Sequence, residues 1–401
     1  MNKSSIGDLA ILGGTPLFSE TIHVGKPNIG SRDRLFERMN DLLDRGWLTN
    51  NGPYVRELER KLAELTGTRH CIAMCNGTVA LEIAARALGL SGEVIVPSFT
   101  FVATAHCLQW QEIRPVFCDI QQNSHTIDPE CIERLITPET SGIIGVHLWG
   151  TPCDTDAIAA VASRRGLKVF YDASHALGVS HGGTMIGNFG ELEVFSFHAT
   201  KFVNCFEGGA IVTNNDDLAE KIRLMKNFGF AGMDNVIYLG TNGKMSEPSA
   251  AMGLTSLEGM GEFVAVNKAN HLAYTEHLAN LAGCRILEYD ENQKNNYQYI
   301  VLEIEEQEFG IDRNTLVKIL HAENIRARRY FYPGVHRMEP YRTLYPDAAQ
   351  GLPRTVDVAN KVVTLPTGKA VDPDAVGRIC GLFRFLFQNR DGIRAALKRA
   401  A

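Results

Sequence analysis

The stretch IIGVHLWGTPCDTDAIAAVASRRGLKVFYDA, residues 143–173, contains a complete structural unit. IIGVHL at 143–148 and VFYDA at 169–173 are short apolar runs of the kind that form strands buried on both faces. Between them Asp154 is placed to cap a helix, DTDAIAAVASRRG. Strand, helix and strand at this spacing describe a crossover between parallel strands, and therefore an α/β protein.

The same texture extends outward to about residue 230. HCIAMC (70–75), VIVP (94–97), PVFCDI (115–120), EVFSF (193–197) and AIVT (210–213) all read as buried strands. Upstream, Pro53 starts a helix in which Val55, Leu58, Leu62 and Leu65 share a face, with Gly67 at its end. A mainly parallel sheet follows, and such sheets bind ligands at the carboxyl ends of their strands. From Met245 to about Leu281 the pattern predicts one long connecting helical stretch. Beyond it come an alternating strand, YQYIVLEI (297–304), a helix around DRNTLVKILHAENI (312–325), the segment RARRYFYPGVH (326–336) and a last helix, DPDAVGRICGLFRFLFQ (372–388). The expected organisation is an amino-terminal segment over 1–30, a large domain over 31–255, and a connecting helix with a smaller α/β domain over 256–401.

Composition narrows the function classes. With 45% hydrophobic and 21% charged residues, the 401-residue chain is neither disordered nor fibrous. A net charge of −6 provides no broad basic field, so no nucleic-acid partner is expected, and an anionic small substrate would need a local basic site. MNKSSIGDLAILGG lacks the apolar core of a signal peptide, and no apolar run reaches the ~20 residues of a membrane helix. No membrane association and a cytoplasmic location are expected. Nine cysteines without a CxxC pair fit reduced thiols. His70, Cys71 and Cys75 could be read as metal ligands, but alternate residues of a strand face opposite ways and no second ligand pair has zinc spacing, so no metal is expected.

Chemistry concentrates between Tyr171 and Gly209, in YDASHALG, SFHATK and FEGG. Asp172 ends an apolar strand, where a carboxylate needs a cationic partner to remain charged. Lys201 follows the next strand, in a run whose glycines suggest tight turns and close backbone approach. Upstream, Asn76-Gly77-Thr78 joins a strand to a helix, so Gly77 and Thr78 can offer free amides to a phosphate, and Ser196 can add a hydroxyl. A lysine for a Schiff base, an aspartate for a pyridinium nitrogen and a phosphate site together describe a pyridoxal 5′-phosphate enzyme.

Across WLTNNGPYVRELE, MCNGTVAL, VIVPSFTFVAT, GVHLWGTPCD, YDASHALG, SFHATKFVNCFEGGAIVT, NGKMSEPSAAMGL and RRYFYPGVH, the chain resembles the DegT/DnrJ/EryC1/StrS family of nucleotide-sugar aminotransferases. The resemblance implies the aspartate-aminotransferase fold (fold type I), pyridoxal 5′-phosphate as cofactor, and a homodimer with shared active sites. It implies that Lys201 bonds the cofactor and moves the proton, and that Asp172 keeps its ring nitrogen protonated. His175 stands where many members have glutamine beside the cofactor's phenolic oxygen, a departure shared with the 4-aminotransferase branch. Phe101 matches the aromatic residue that stacks on the ring, and Asn242 matches an asparagine that reaches the phosphate of the neighbouring subunit. His198 and Glu207 are read as structural. Lys244, Arg328, Arg329, Tyr332 and His336 are candidates for the nucleotide diphosphate and sugar, since guanidinium groups bind phosphate oxygens through paired hydrogen bonds.

The implied reaction is amination of a nucleotide-linked 4-keto-6-deoxyhexose, dTDP-4-keto-6-deoxyglucose in particular, with L-glutamate as donor. Amination of a 3-keto sugar is the alternative, because the motifs do not fix the position of the ketone. A sugar 3-dehydratase of the family would carry histidine in place of Lys201. A nucleotide-dependent oxidoreductase would need a GxGxxG turn that ILGGTP does not supply, and a cofactor-binding regulator would be expected to add a DNA-binding module or to lose the lysine.

Overall fold

The computed structural model describes residues 3–400. Seven strands form the central sheet: β1 His70–Met74, β2 Glu93–Pro97, β3 Arg114–Cys118, β4 Thr140–Val146, β5 Lys168–Asp172, β6 Glu193–Ser196 and β7 Gly209–Thr213. They lie in the order β1-β7-β6-β5-β4-β2-β3. All neighbours are parallel except β7, which runs antiparallel to both β1 and β6. Each apolar run noted in the sequence is one of these strands. Their continuous hydrophobicity has a simple cause, since successive residues enter cores on opposite faces: Ile144 and Phe170 pack on one side, Ile143, Val169 and Tyr171 on the other.

Local signals in the sequence set the helix boundaries. Asp154 Oδ1 accepts from the Ala157 amide at 3.0 Å and starts the helix Thr155–Arg165. The helix Pro53–Thr66 buries Val55, Leu58 and Leu62 and stops at Gly67, whose φ of +70° suits glycine.

The connector after Met245 differs from the expected single stretch. It is two helices, Glu247–Glu258 and Met260–Leu278, separated by Gly259. A Cβ at Gly259 would come within 2.6 Å of the Phe263 ring, so close packing requires glycine there, and glycine is a poor helix former. A further helix, Arg390–Ala400, follows the one expected to be last.

The smaller sheet is antiparallel, with β8 Cys284–Ile286 and β10 Val362–Leu365 flanking β9 Ile300–Ile304. The alternation read in YQYIVLEI does not separate wet from dry, because every β9 residue is buried. Ile300, Leu302 and Ile304 face the small domain's helices, while Val301, with Tyr299 just before the strand, packs against Trp149 of the large domain.

The amino-terminal segment packs on this small domain. Leu9, Leu17 and Phe18 join its core, and the buried Glu323 carboxylate accepts from the Ala10 and Leu17 amides and pairs with Lys3 at 2.8 Å. Ile22–His23 adds a short parallel pairing with Ile325–Arg326.

The second glycine of FEGG has a definite role. A Cβ on Gly209 would lie 2.8 Å from the backbone of Asn76 and Gly77, where strand β7 passes under the turn leaving β1. Gly209→Ala is therefore expected to destabilise the protein by about 1–3 kcal/mol through overpacking, measurable as a lower urea midpoint.

Candidate active site

The carboxyl ends of β4, β5 and β6 and the turn after β1 meet around one cavity of about 620 Å³. Val146, Asp172, Ser196 and Gly77 line it, as do Lys201 and His175 from the loops that follow β5 and β6. Thus Gly77, Thr78, Phe101, Asp172, His175, Ser196 and Lys201, singled out in the sequence, share one site.

The turn after β1 forms a cradle. Asn76 caps the helix Gly77–Ala87, its Oδ1 accepting from the Val79 amide at 2.8 Å. That bond leaves the Gly77 and Thr78 amides, the first two of the helix, without a protein acceptor among the described residues. A Cβ on Gly77 would sit 3.1 Å from Ser196 Cβ, so the glycine keeps the cradle open beside the serine hydroxyl.

Asp172 lies at the opposite side of the chemistry, 5% exposed. Its Oδ2 accepts from the Thr104 hydroxyl at 2.9 Å and its Oδ1 from the Ser174 amide at 3.0 Å. Among the described residues no cation lies within ion-pair distance of it. A buried carboxylate with two neutral donors is positioned for a cationic ligand atom. The Lys201 amine lines the same cavity. Burial pulls its pKa down to about 8, against the attraction of Asp172, so a neutral amine is accessible near physiological pH.

His175 is buried, and its surroundings fix its proton. Desolvation, then the nearby Lys201, push its pKa down, so the ring is neutral. Nδ1 accepts from the Trp149 amide at 3.2 Å, which leaves the proton on Nε2. Phe101, 57% exposed, stands at the cavity mouth. His198 and Glu207 face each other at the rim, 3.5 Å apart.

The remaining sequence candidates lie elsewhere. Asn242 is exposed and bridges to Asn227, and Lys244 donates to Asn227 Oδ1 at 3.0 Å beside a smaller cavity. Neither lines the main cavity of its own chain. Arg328 and Arg329 are exposed, and the Arg313 and Arg329 guanidinium groups lie 5.0 and 4.8 Å from the centre of the Tyr332 ring. His336 is buried with Nδ1 2.7 Å from Ser98 Oγ, and burial lowers its pKa to about 4.

Several lining groups were not singled out in the sequence. Tyr299, Tyr330 and Phe331 bring the small domain to the cavity wall, and Thr104, buried behind that wall as the second residue of the short helix Ala103–Gln109, fixes Asp172. Thr104 lies within PSFTFVAT, so a hydroxyl in that motif was the available signal. Nothing local marks Tyr299, because its role depends on the docking of two domains.

These residues fit pyridoxal 5′-phosphate on the structure's own terms. The cradle has unused amides and space that a side chain at Gly77 would fill, the unpaired carboxylate suits a protonated pyridine nitrogen, and the amine stands in the same cavity. When bound, the cofactor supplies an electron sink that acidifies a C–H bond next to nitrogen and carries an amino group between substrates.

An α/β sheet bearing these three elements defines a pyridoxal phosphate-dependent transferase. The DegT/DnrJ/EryC1/StrS aminotransferase family model matches residues 31–384, and the chain belongs to that family. The dTDP-4-amino-4,6-dideoxy-D-glucose transaminase of Shigella dysenteriae is 39% identical over 363 residues, covering 90% of this chain and 98% of that enzyme. GDP-perosamine synthase of Caulobacter vibrioides is 35% identical over 334 residues, covering 81% and 88%. The crystal structure of DesI in the presence of its TDP-sugar product matches with a TM-score of 0.93 at 45% identity, covering 99% of this chain and 100% of DesI.

The lowered Lys201 pKa has a measurable sign. Only the neutral amine attacks a carbonyl, so covalent uptake of pyridoxal phosphate by the apoprotein should accelerate as pH rises, with a midpoint of about 8. Stopped-flow absorbance across pH 6.5–10 reads this directly, set against the 10.5 of an ordinary lysine.

Proposed function

We propose that the protein transfers an amino group from L-glutamate to C4 of dTDP-4-keto-6-deoxyglucose, giving the 4-amino-4,6-dideoxy sugar. The observation that carries this reading is the joint presence of Lys201, Asp172 and the neutral His175 in one cavity. It occurs in a chain 39% and 45% identical to two proteins whose names specify 4-amino sugars or a TDP-sugar product.

In this reading the chain's own groups have separate tasks. Lys201 Nζ takes a proton from the donor's α-carbon and returns it elsewhere, a role its pKa of about 8 permits in both directions. Asp172, steadied by Thr104 and Ser174, holds the proton on the pyridine nitrogen. The Gly77 and Thr78 amides and the Ser196 hydroxyl hold the phosphate. His175 offers its Nε2–H to the ring oxygen, and Phe101 covers the ring at the mouth. Arg328, Arg329 and Tyr332 flank the cavity-lining Tyr330 and Phe331 in sequence and are assigned to the diphosphate. Amination at C3 of a 3-keto sugar remains the second reading, since the same groups serve either ketone.

A homodimer with shared sites completes the proposal. The segment from Phe228 to Leu239 exposes Phe228, Phe230, Met233, Val236, Ile237 and Leu239, and exposed apolar residues gathered in one segment suit a subunit contact. Asn242 and Lys244 follow directly and lie outside their own chain's cavity, which suits a role in the partner's site.

Two experiments test this. With glutamate and dTDP-4-keto-6-deoxyglucose, the holoenzyme should yield a sugar whose NMR spectrum places the amine at C4, and Lys201→Ala should abolish turnover. An amine at C3, or activity only with a 3-keto sugar, selects the second reading. Mixing Lys201→Ala with Asn242→Ala subunits should restore about a quarter of wild-type activity, because half the dimers are mixed and each mixed dimer holds one intact site. If Asn242 served its own subunit, mixing would restore nothing.

A further inference from the structure

The loops after β3 and β4 each carry one unusual residue. Trp149 has φ +63° and His125, on the neighbouring loop, has φ +61°, although neither is glycine and both are fully buried. A bulky residue in the left-handed region is strained and persists only where its surroundings hold it. Here the surroundings are a chain of hydrogen bonds. The Trp149 amide donates to His175 Nδ1 at 3.2 Å, and the Trp149 indole Nε1–H donates to His125 Nδ1 at 3.2 Å. His125 Nε2–H in turn donates to Glu303 Oε1 at 2.7 Å, and Arg285 pairs with the same carboxylate. Burial alone would raise the pKa of Glu303, but His125 and Arg285 hold it below the usual range, so it remains an anion.

Trp149 donates at both ends of this chain, from its amide to His175 and from its indole to His125, and the carboxylate at the far end sets the proton positions. Glu303 accepts only, so His125 carries its proton on Nε2 and presents Nδ1 as acceptor. That acceptor pins the indole, and the pinned indole keeps the Trp149 amide aimed at His175. The Trp149 ring also lies nearly parallel to His175, with centroids 6.0 Å apart, while Asn296 Nδ2 donates to the His175 carbonyl at 2.8 Å. His175 therefore has no free choice of tautomer.

We propose that Trp149, His125 and Glu303 are positioning residues that lock His175 as a neutral Nε2–H donor facing the cofactor cavity. The inference rests on the place given to His175 in the proposed function, and it assigns control of that group to a carboxylate on strand β9 of the other domain. None of the three positioning residues lines the cavity. Their effect passes through the orientation of one backbone amide.

The test is ¹⁵N NMR of histidine-labelled protein without added sugar, with the His175 signals identified by their loss in His175→Gln. In the wild type, Nδ1 should resonate as an unprotonated and Nε2 as a protonated ring nitrogen. Trp149→Phe keeps an aromatic ring in the core but loses the pyrrole half of the indole and with it the N–H that reaches His125. In this variant the two signals should move toward each other as both tautomers become populated, and kcat should fall roughly 3–10-fold, the equivalent of one hydrogen bond. Glu303→Leu should shift the signals in the same direction, whereas Glu303→Gln, which keeps an acceptor for His125, should preserve them. Should Trp149→Phe fail to fold, the Glu303 pair reads the same signal from the small-domain side. Wild-type His175 signals in folded Trp149→Phe or Glu303→Leu protein would overturn the proposal. The readout needs no sugar, so a wrong substrate assignment would leave it intact, and a wrong tautomer assignment would leave 4-amination intact.

Discussion

A carboxylate that makes no ion pair among the described residues lies at the centre of this protein. Asp172 ends the middle strand of a sheet covered on both faces, and its hydrogen-bond donors are a threonine hydroxyl and a backbone amide. Two neutral donors do not replace the water that such a group loses on burial. The charge is tolerable because the cavity beside it is shaped for a cationic ring. The surrounding architecture can be understood from that constraint: the sheet fixes the carboxylate, the cradle at the turn after β1 lies three strands away, and the Lys201 loop after β6 lies between them.

The antiparallel strand β7 makes this spacing possible. It lies between β1 and β6, so the cradle and the lysine loop are separated by one strand whose first residue is Gly209. Because that residue has no side chain, the Asn76–Gly77 turn can lie directly against it. An element that contributes no chemistry thereby determines the geometry of two that do.

Much of this was legible in the sequence, and the legible part has a common cause. Strands buried on both faces must be apolar throughout, so all seven appear as short apolar runs; Lys201, Asp172 and the Asn76 turn sit at the ends of those runs, where ligands bind. What escaped depends on contacts between distant segments. Glu303 reads as the polar position of an alternating strand, yet it is buried because the large domain covers that face at Trp149. Gly259 was passed over inside a helical pattern, since the Phe263 ring that demands it becomes a neighbour only once the chain has folded. Asn242 and Lys244 were marked by resemblance alone, and a single chain leaves both beside a different cavity.

The amino-terminal segment has a consequence for synthesis. Leu9, Leu17 and Phe18 are covered by Leu316, Leu320 and Phe383, residues from the far end of the chain. A ribosome adding roughly 5–20 residues per second emits the first group tens of seconds before the last. During that interval the large domain can close its sheet from residues already emerged, while the leading apolar residues wait for their partners. The small domain is thus discontinuous in time as well as in sequence, and Leu9, Leu17 and Phe18 are among the last residues to find their native neighbours.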